Sequence, residues 1–444
     1  MSPPVPAKDA APSAPQAAFR IELPGAPHIA YRGDVLYVED CRVDDLARAH
    51  GTPLYVYSRS AMLDALAPYQ RALQGREHLI CYAMKANSNL AVLQTFAQAG
   101  CGFDIVSGGE LERVLAIGAD PRQVIFSGVG KTEAEMAQAL AAGVLCFNVE
   151  SQPELERLSQ VAVRCGRTAP VSLRINPDVD ARTHPYISTG LKANKFGIAH
   201  ADAVAAYRRA ASLPGLQVLG IDCHIGSQIT EIAPYLDALD RLLDLVETVE
   251  AQGVPIHHVD IGGGLGITYT DEQPPAADTL IAALLERIDA RGHGHRKLML
   301  EPGRSLVGNA GVLVSEVLYL KPGEVKNFCI VDAAMNDLMR PAMYQAWMRI
   351  VECRRRAIEA TTWDVVGPVC ESGDWLGHDR ALAVLPGDFI AVLSAGAYAM
   401  SMASNYNTRG RAAVVMVCGD RAELVRERET PADQFRGERG WSGD

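Results

Sequence analysis

Lys85 closes an apolar run, Leu79 to Met84, in a place where an unpaired ammonium would cost several kcal/mol to bury. A lysine there either snorkels to a polar rim or serves as an amine that attacks an aldehyde, a task helped by desolvation and a lowered pKa. Gly262, Gly263 and Gly264 follow another apolar run, and without side chains they can approach a phosphate and offer it backbone N–H groups. A tight turn would use the same residues. The run is not the dinucleotide fingerprint, which opens the first βα unit of an open sheet, so a single phosphorylated cofactor fits it better. Glu301 ends a further run; a carboxylate there could pair with a protonated pyridine nitrogen and hold the ring cationic, or simply bridge to Arg304 or Arg174. His224 offers a flat ring for stacking, although a lone histidine is more often structural. Cys370 lies in the Gly/Pro-rich stretch GPVCESGD, where a thiol is either a buried structural group or an acid.

These residues sit at the ends of regularly spaced elements. Eight short apolar runs alternate with helix-period segments: Leu79 to Met84, Phe103 to Val106, Val124 to Ser127, Leu145 to Val149, Val171 to Ile175, Val218 to Cys223, His257 to Ile261 and Lys297 to Leu300. Segments such as Glu133 to Ala142 and Pro234 to Ala251 place Leu, Ala and Val at helical spacing between charges. Repeated βα units, eight in number, predict an α/β fold with a closed (β/α)8 barrel. Active sites of such barrels lie at the C-terminal strand ends, which is where the polar residues above fall.

After Gly311 the helical spacing gives way to β-rich runs, Val312 to Leu320, Phe328 to Val331, Phe389 to Leu393 and Ala412 to Cys418, which predict a separate C-terminal β domain. A strand-like stretch from Phe19 to Val38 is expected to pair with it. The division expected is a disordered Pro/Ala/Ser-rich tail (1–18), an N-terminal segment (19–51), the barrel (52–310), the β domain (311–430) and a tail (431–444).

With 48% hydrophobic and 21% charged residues, the 444-residue chain can bury a large core. A net charge of -11 leaves no basic field for nucleic acid or anionic lipid, so a metabolite is the expected partner. The ten cysteines include no C-x-x-C pair, which speaks against a zinc site or a disulfide framework, and no metal is expected. Neither a signal peptide nor an apolar stretch of about 18 residues appears, so the expected location is the cytoplasm.

Taken in order, CYAMKAN (81–87), GFDIVSGGEL (102–111), RINPDVDARTHPYISTGLKANKFGI (174–198), CHIGSQI (223–229), DIGGGLGI (260–267), EPGRSLVGNAG (301–311), MNDLMRPAMY (335–344), CESGD (370–374) and GAYAMSMASNYN (396–407) show a close match. The chain resembles the fold-type-III pyridoxal-phosphate decarboxylases, and within them the diaminopimelate decarboxylases, from about Thr52 to about Met416. The resemblance implies an alanine-racemase-like barrel followed by a β domain, in a homodimer whose active sites form between subunits. It implies pyridoxal 5'-phosphate as cofactor and decarboxylation of an amino acid, meso-diaminopimelate, to lysine. Lys85 would carry the cofactor as an internal aldimine and His224 would stack on its ring. Ser227, Gly262 to Gly264, Gly303 and Tyr398 would hold the phosphate region, and Glu301 would face the pyridine nitrogen. Arg304, Arg340, Tyr344 and Tyr398 would bind substrate, with Cys370 and Glu371 entering from the partner subunit.

The residue types suit that chemistry. Loss of carbon dioxide leaves a carbanion that a pyridinium can delocalise, and an acid such as Cys370 must return a proton. A distant carboxylate and ammonium call for Arg340, Tyr344 and Glu371. Gln345-Ala346-Trp347 departs from the expected pattern of a small residue followed by a different aromatic, beside the distal carboxylate site. Asp104, Glu110 and Arg174 have no settled role. An ornithine- or arginine-type decarboxylase should lack the Arg340 and Tyr344 pair, and a non-catalytic cofactor-binding relative should not keep Lys85, Cys370 and Glu371 together.

Overall fold

The computed structural model describes residues 22–179 and 194–443. The expected tail at 1–18, the start of the strand-like stretch and the central part of the 174–198 motif lie outside the described residues.

Short β-branched runs separated by helices can hide their backbone groups only by pairing with one another, and here the pairing closes into a ring. His78–Ala83 pairs in parallel with Gly102–Ile105, and the ladder continues through Val124–Phe126, Cys146–Val149, Ala169–Asn176, Leu216–Asp222, His258–Asp260 and Lys297–Leu300. The eighth strand returns to the first, Leu298 lying opposite His78. All eight expected runs are strands of this barrel, the last residue for residue. Glu133–Ala142 is a helix with the expected bounds because Thr132 and Glu135 form a reciprocal N-terminal cap and Gly143, at φ +78°, ends it. Ala233–Glu250 turns Leu239, Leu242, Leu243, Val246 and Val249 inward at helical spacing.

A second sheet is built around the eleven-residue strand Gly311–Lys321, which pairs antiparallel with Phe328–Val331, Phe389–Val392 and Leu54–Ser58. Leu54–Ser58 also runs parallel to Ala413–Cys418, so it is an interior strand of this sheet. The sequence places residues 52–310 in the barrel, and this strand departs from that division. All five of its residues are buried, and a short apolar run reads alike in either sheet. Its partners come from the far end of the chain, out of reach of any local pattern. Its alternation divides the interior: Tyr55 and Tyr57 join the large core shared with the barrel, whereas Leu54 and Val56 join a second core with Ile29, Leu36, Val38, Val312 and Val314. Truncating Leu54 to alanine would cost about 2–5 kcal/mol, since neither layer can close over the gap.

The N-terminal hairpin, Ile29–Arg32 with Val35–Val38, makes its own small sheet with Cys41–Arg42. It reaches the C-terminal region through that second core and through the Leu36 N–H donating to the Cys353 carbonyl at 2.9 Å. Within the expected tail, Pro431–Phe435 forms a short helix capped reciprocally by Thr430 and Asp433. Among the described residues no helix is long and apolar enough to cross a membrane.

Candidate active site

The first, second, sixth, seventh and eighth strands end around one point. Lys85 lies two residues beyond the first strand, and its Nζ donates to Asp104 of the second. Burial works against the Lys85 charge, but the carboxylates of Asp104 and Glu301 outweigh it and raise the pKa above the ordinary lysine value. This corrects the sequence expectation of a lowered pKa. A lysine at a strand end reads as desolvated until the carboxylate delivered by the neighbouring strand is seen.

His224 follows the sixth strand. Burial first, then the charges of Arg174 and Lys85, push its pKa well below the ordinary value, so the ring is neutral and its Nδ1 accepts the Gly263 N–H at 3.2 Å. That bond orients the glycine run. A Cβ on Gly263 would lie 2.0 Å from the Glu301 carbonyl oxygen, and one on Gly264, at φ +101°, would lie 2.3 Å from the Gly226 carbonyl oxygen. Neither position admits a side chain. Gly303 packs less tightly on the first strand, with Ala83 atoms 3.1 Å from where its Cβ would be.

Glu301 is 5% exposed and takes none of the salt bridges considered from sequence. Arg174 pairs with Glu150 at 2.9 Å, and Arg304 turns to the rim. The Asn148 amide donates to Glu301 Oε1 at 3.3 Å. Burial, followed by Asp104, Asp260 and Asp222, raises the Glu301 pKa well above the ordinary carboxyl value. One oxygen from each of Asp222, Asp260 and Glu301 lies within 4.8 Å of the others, the one group among the described residues with the spacing of metal ligands.

At the rim the charge reverses. Tyr398 is tied to the Lys85 loop by its N–H donating to the Ala86 carbonyl at 2.8 Å, and it holds a left-handed φ of +52°, a strained conformation typical of functional positions. The Arg304 guanidinium lies 4.8 Å from the Tyr398 ring centroid, donates to Ser227 Oγ at 3.0 Å and donates to the Tyr269 hydroxyl at 2.6 Å. The Arg340 guanidinium faces the same Tyr269 ring at 5.1 Å and the Tyr344 ring at 5.8 Å. Arg340 is 8% exposed, and its Nε has no hydrogen-bond partner among the described residues. It does not pair with Asp337, which instead lies 3.5 Å from Arg409. Burial, and Arg304 among its neighbours, lower the Arg340 pKa. Two buried guanidinium groups thus flank one tyrosine, and the described ion pairs include a carboxylate for neither.

Cys370 and Glu371 stand apart. Both are exposed, on a loop where the Cys370 N–H donates to Asn407 Oδ1 at 3.0 Å and Glu371 meets Tyr406. Trp347, which broke the expected pattern, has the Arg380 guanidinium 4.2 Å from its ring centroid and is no part of the Arg340 contact. Of the residues without a settled role, Asp104 holds Lys85, Arg174 holds Glu150, and Glu110 accepts the Val106 N–H at 2.6 Å. Asp222, Asp260 and Tyr269 were missed, and Asn148 was read only as one of the polar strand ends. An aspartate inside an otherwise apolar strand was the available signal for the first two; Tyr269, in a loop, gave none.

Residues 60–308 match the family described as pyridoxal-dependent decarboxylase, pyridoxal binding domain. The diaminopimelate decarboxylase of Pseudomonas aeruginosa is 57% identical over 409 residues, 92% of this chain and 98% of that protein. That of Vibrio cholerae is 58% identical over 394 residues, 89% of this chain and 94% of its own length. The chain belongs to the diaminopimelate decarboxylase family.

A solved structure of a family member from M. jannaschii, in co-complex with L-lysine, superposes with a TM-score of 0.90 at 38% identity, covering 94% of this chain and 99% of that one. The cofactor of the family is pyridoxal 5'-phosphate, and the residues present fit it. Lys85 supplies an amine, the glycine run a turn packed so closely on neighbouring backbone that only glycine fits, and Glu301 a buried acid without an ion-pair partner among the described residues.

Proposed function

We propose that the chain removes one carboxyl group of meso-2,6-diaminopimelate to give L-lysine and carbon dioxide, the last step of lysine biosynthesis by the diaminopimelate route. The observation that carries this substrate is Arg340, a buried guanidinium beside Arg304 whose described contacts are aromatic rings and whose Nε has no partner among the described residues. A buried cation of this kind is costly unless an anion joins it, and the second carboxylate of diaminopimelate is such an anion.

Lys85 would hold the cofactor through Nζ, and the Gly262–Gly264 run, Ser227, Gly303 and Tyr398 would hold its phosphate. His224, neutral and fixed through Nδ1, presents a ring face to stack on. Glu301 would face the pyridine nitrogen and keep the ring protonated. When bound, pyridoxal supplies the electron sink that takes up the pair left at Cα as carbon dioxide departs. Arg304, Arg340, Tyr344 and Tyr398 orient the substrate carboxylates. Cys370 returns a proton to Cα and Glu371 receives the distal ammonium, both from the partner subunit of a homodimer. Their exposure, and contacts within the chain that run to Asn407 and Tyr406, support a role completed across an interface. The ten free cysteines are in keeping with a reducing cytoplasm.

Carbon dioxide release from meso-diaminopimelate, ornithine, arginine and lysine with added pyridoxal phosphate tests the reading. Release from diaminopimelate should dominate; a preference for ornithine or arginine would contradict it.

A further inference from the structure

The barrel floor holds more carboxylates than the roles above use. Asp222 ends the sixth strand and Asp260 the seventh, 2% and 1% exposed, each with an oxygen within 4.8 Å of one on Glu301. Asp260 Oδ1 accepts the Gly262 N–H at 2.8 Å, which ties the residue to the phosphate cradle. Its Oδ2 and the Oδ1 of Asp222 are buried with no hydrogen-bond partner among the described residues.

The charged groups facing this trio are Asp104 from the second strand, Lys85 after the first, Glu150 after the fourth, Arg174 from the fifth and the neutral His224 after the sixth. The Asn148 amide and the thiols of Cys81, Cys146 and Cys223 complete the surroundings. Lys85 is held by Asp104 and Arg174 by Glu150, which leaves the trio without an ion-pair partner among the described residues. Three carboxylates so close, out of water, cannot all be ionised. Burial, with Asp104 adding to it, raises Asp260 to about 7, and burial with its neighbours raises Asp222 and Glu301 well above the ordinary range.

We propose that Asp222 and Asp260 are positioning residues that hold a shared proton behind Glu301, and that the trio passes a proton to the pyridine nitrogen as the cofactor binds, leaving Glu301 ionised against the new cation. One carboxyl O–H bond breaks, one N–H bond forms, no electron changes hands, and the net charge of the site is conserved. This rests on the reading that Glu301 faces the ring nitrogen. It gives a role to two further buried acids, each with an unpartnered oxygen among the described residues, behind a carboxylate that already serves.

The test counts protons. Cofactor-free protein is titrated with pyridoxal phosphate in a calorimeter, in buffers of different ionisation heat, for the parent and for the Asp222→Asn/Asp260→Asn double variant, with the visible absorption of the covalently bound cofactor recorded for each. At a pH where the cofactor-free double variant has lost its Glu301 proton, found by acid–base titration of that variant, it should take up about one more proton per site than the parent, whose trio supplies its own. Equal uptake, with the visible band present in both, overturns the proposal and leaves the cofactor site standing. Absence of the band in the parent overturns the reading beneath it. Should the double variant not fold, Asp222→Asn alone carries the test: uptake above the parent's is expected and equal uptake overturns. A divalent metal found at one equivalent per chain in the purified parent would also overturn it, since the cluster would then hold an ion instead of a proton.

Discussion

The floor and the rim of the barrel are charged in opposite senses, and neither balances itself. On the floor, Asp104, Asp222, Asp260 and Glu301 crowd together, with Lys85 and Arg174 as the cations facing them. At the rim, Arg304 and Arg340 flank Tyr269, and the described ion pairs include no carboxylate for either. Two like charges 4.8 Å apart, the spacing on the floor, repel by about 3–4 kcal/mol at an effective dielectric of 20, and at the rim burial disfavours the Arg340 charge. A fold built for stability alone would have paired the two sets. Keeping them apart leaves the floor ready for a cation, the protonated ring, and the rim ready for an anion, the substrate carboxylate.

The largest expected effects break one end completely. Cys370→Ala should lower turnover about 10^2–10^4-fold, the usual worth of a placed proton donor. Mixing it with Lys85→Ala should restore activity in heterodimers that hold one intact site; demonstrated subunit exchange without recovery would rule out a site shared between subunits. On the floor, Glu301→Gln keeps the shape and removes the charge, and should lower turnover about 10^2–10^3-fold while leaving the KM for diaminopimelate near the parent value. A change confined to KM would move Glu301 from the ring to the substrate. At the rim, Arg340→Lys should recover part of what Arg340→Ala loses in kcat/KM, because an ammonium cannot reproduce the planar two-pronged contact; full recovery would reduce the site to a point charge. The smallest effect is on stability. Asp260 has a folded pKa raised to about 7, so the protein binds a proton there that the unfolded chain releases above its ordinary value of 3.8. The stability of cofactor-free protein should therefore fall as pH rises toward and through 7, by at most about 1.4 kcal/mol per pH unit for this group, and Asp260→Asn should flatten that slope in thermal unfolding.

The two ends were not equally legible in the sequence. The eight strands could be found because barrel strands carry short apolar runs ending in polar residues, and Lys85, His224, Gly262–Gly264 and Glu301 all fall at those ends. Leu54–Ser58 read as part of the barrel because the pairing that defines it comes from residues beyond 310. The raised pKa of Lys85 was hidden for a similar reason: Asp104 is adjacent only across the sheet. Tyr269, which organises the rim arginines, sits in a loop whose sequence has no periodicity to read. Chemistry carried by strand ends was visible, Asp222 and Asp260 excepted; chemistry carried by contacts between distant segments was not.

The most direct test of the opposed charges is the selectivity of Arg340→Ala. Rates of carbon dioxide release from meso-diaminopimelate and from lysine, which lacks the second carboxylate, give a ratio of kcat/KM values for parent and variant. A charge-assisted bond worth about 1.5–3 kcal/mol predicts that the ratio falls by about one to two powers of ten, with cofactor absorption unchanged. An unchanged ratio would show that Arg340 does not read the distant carboxylate, and the rim would lose its part in the account.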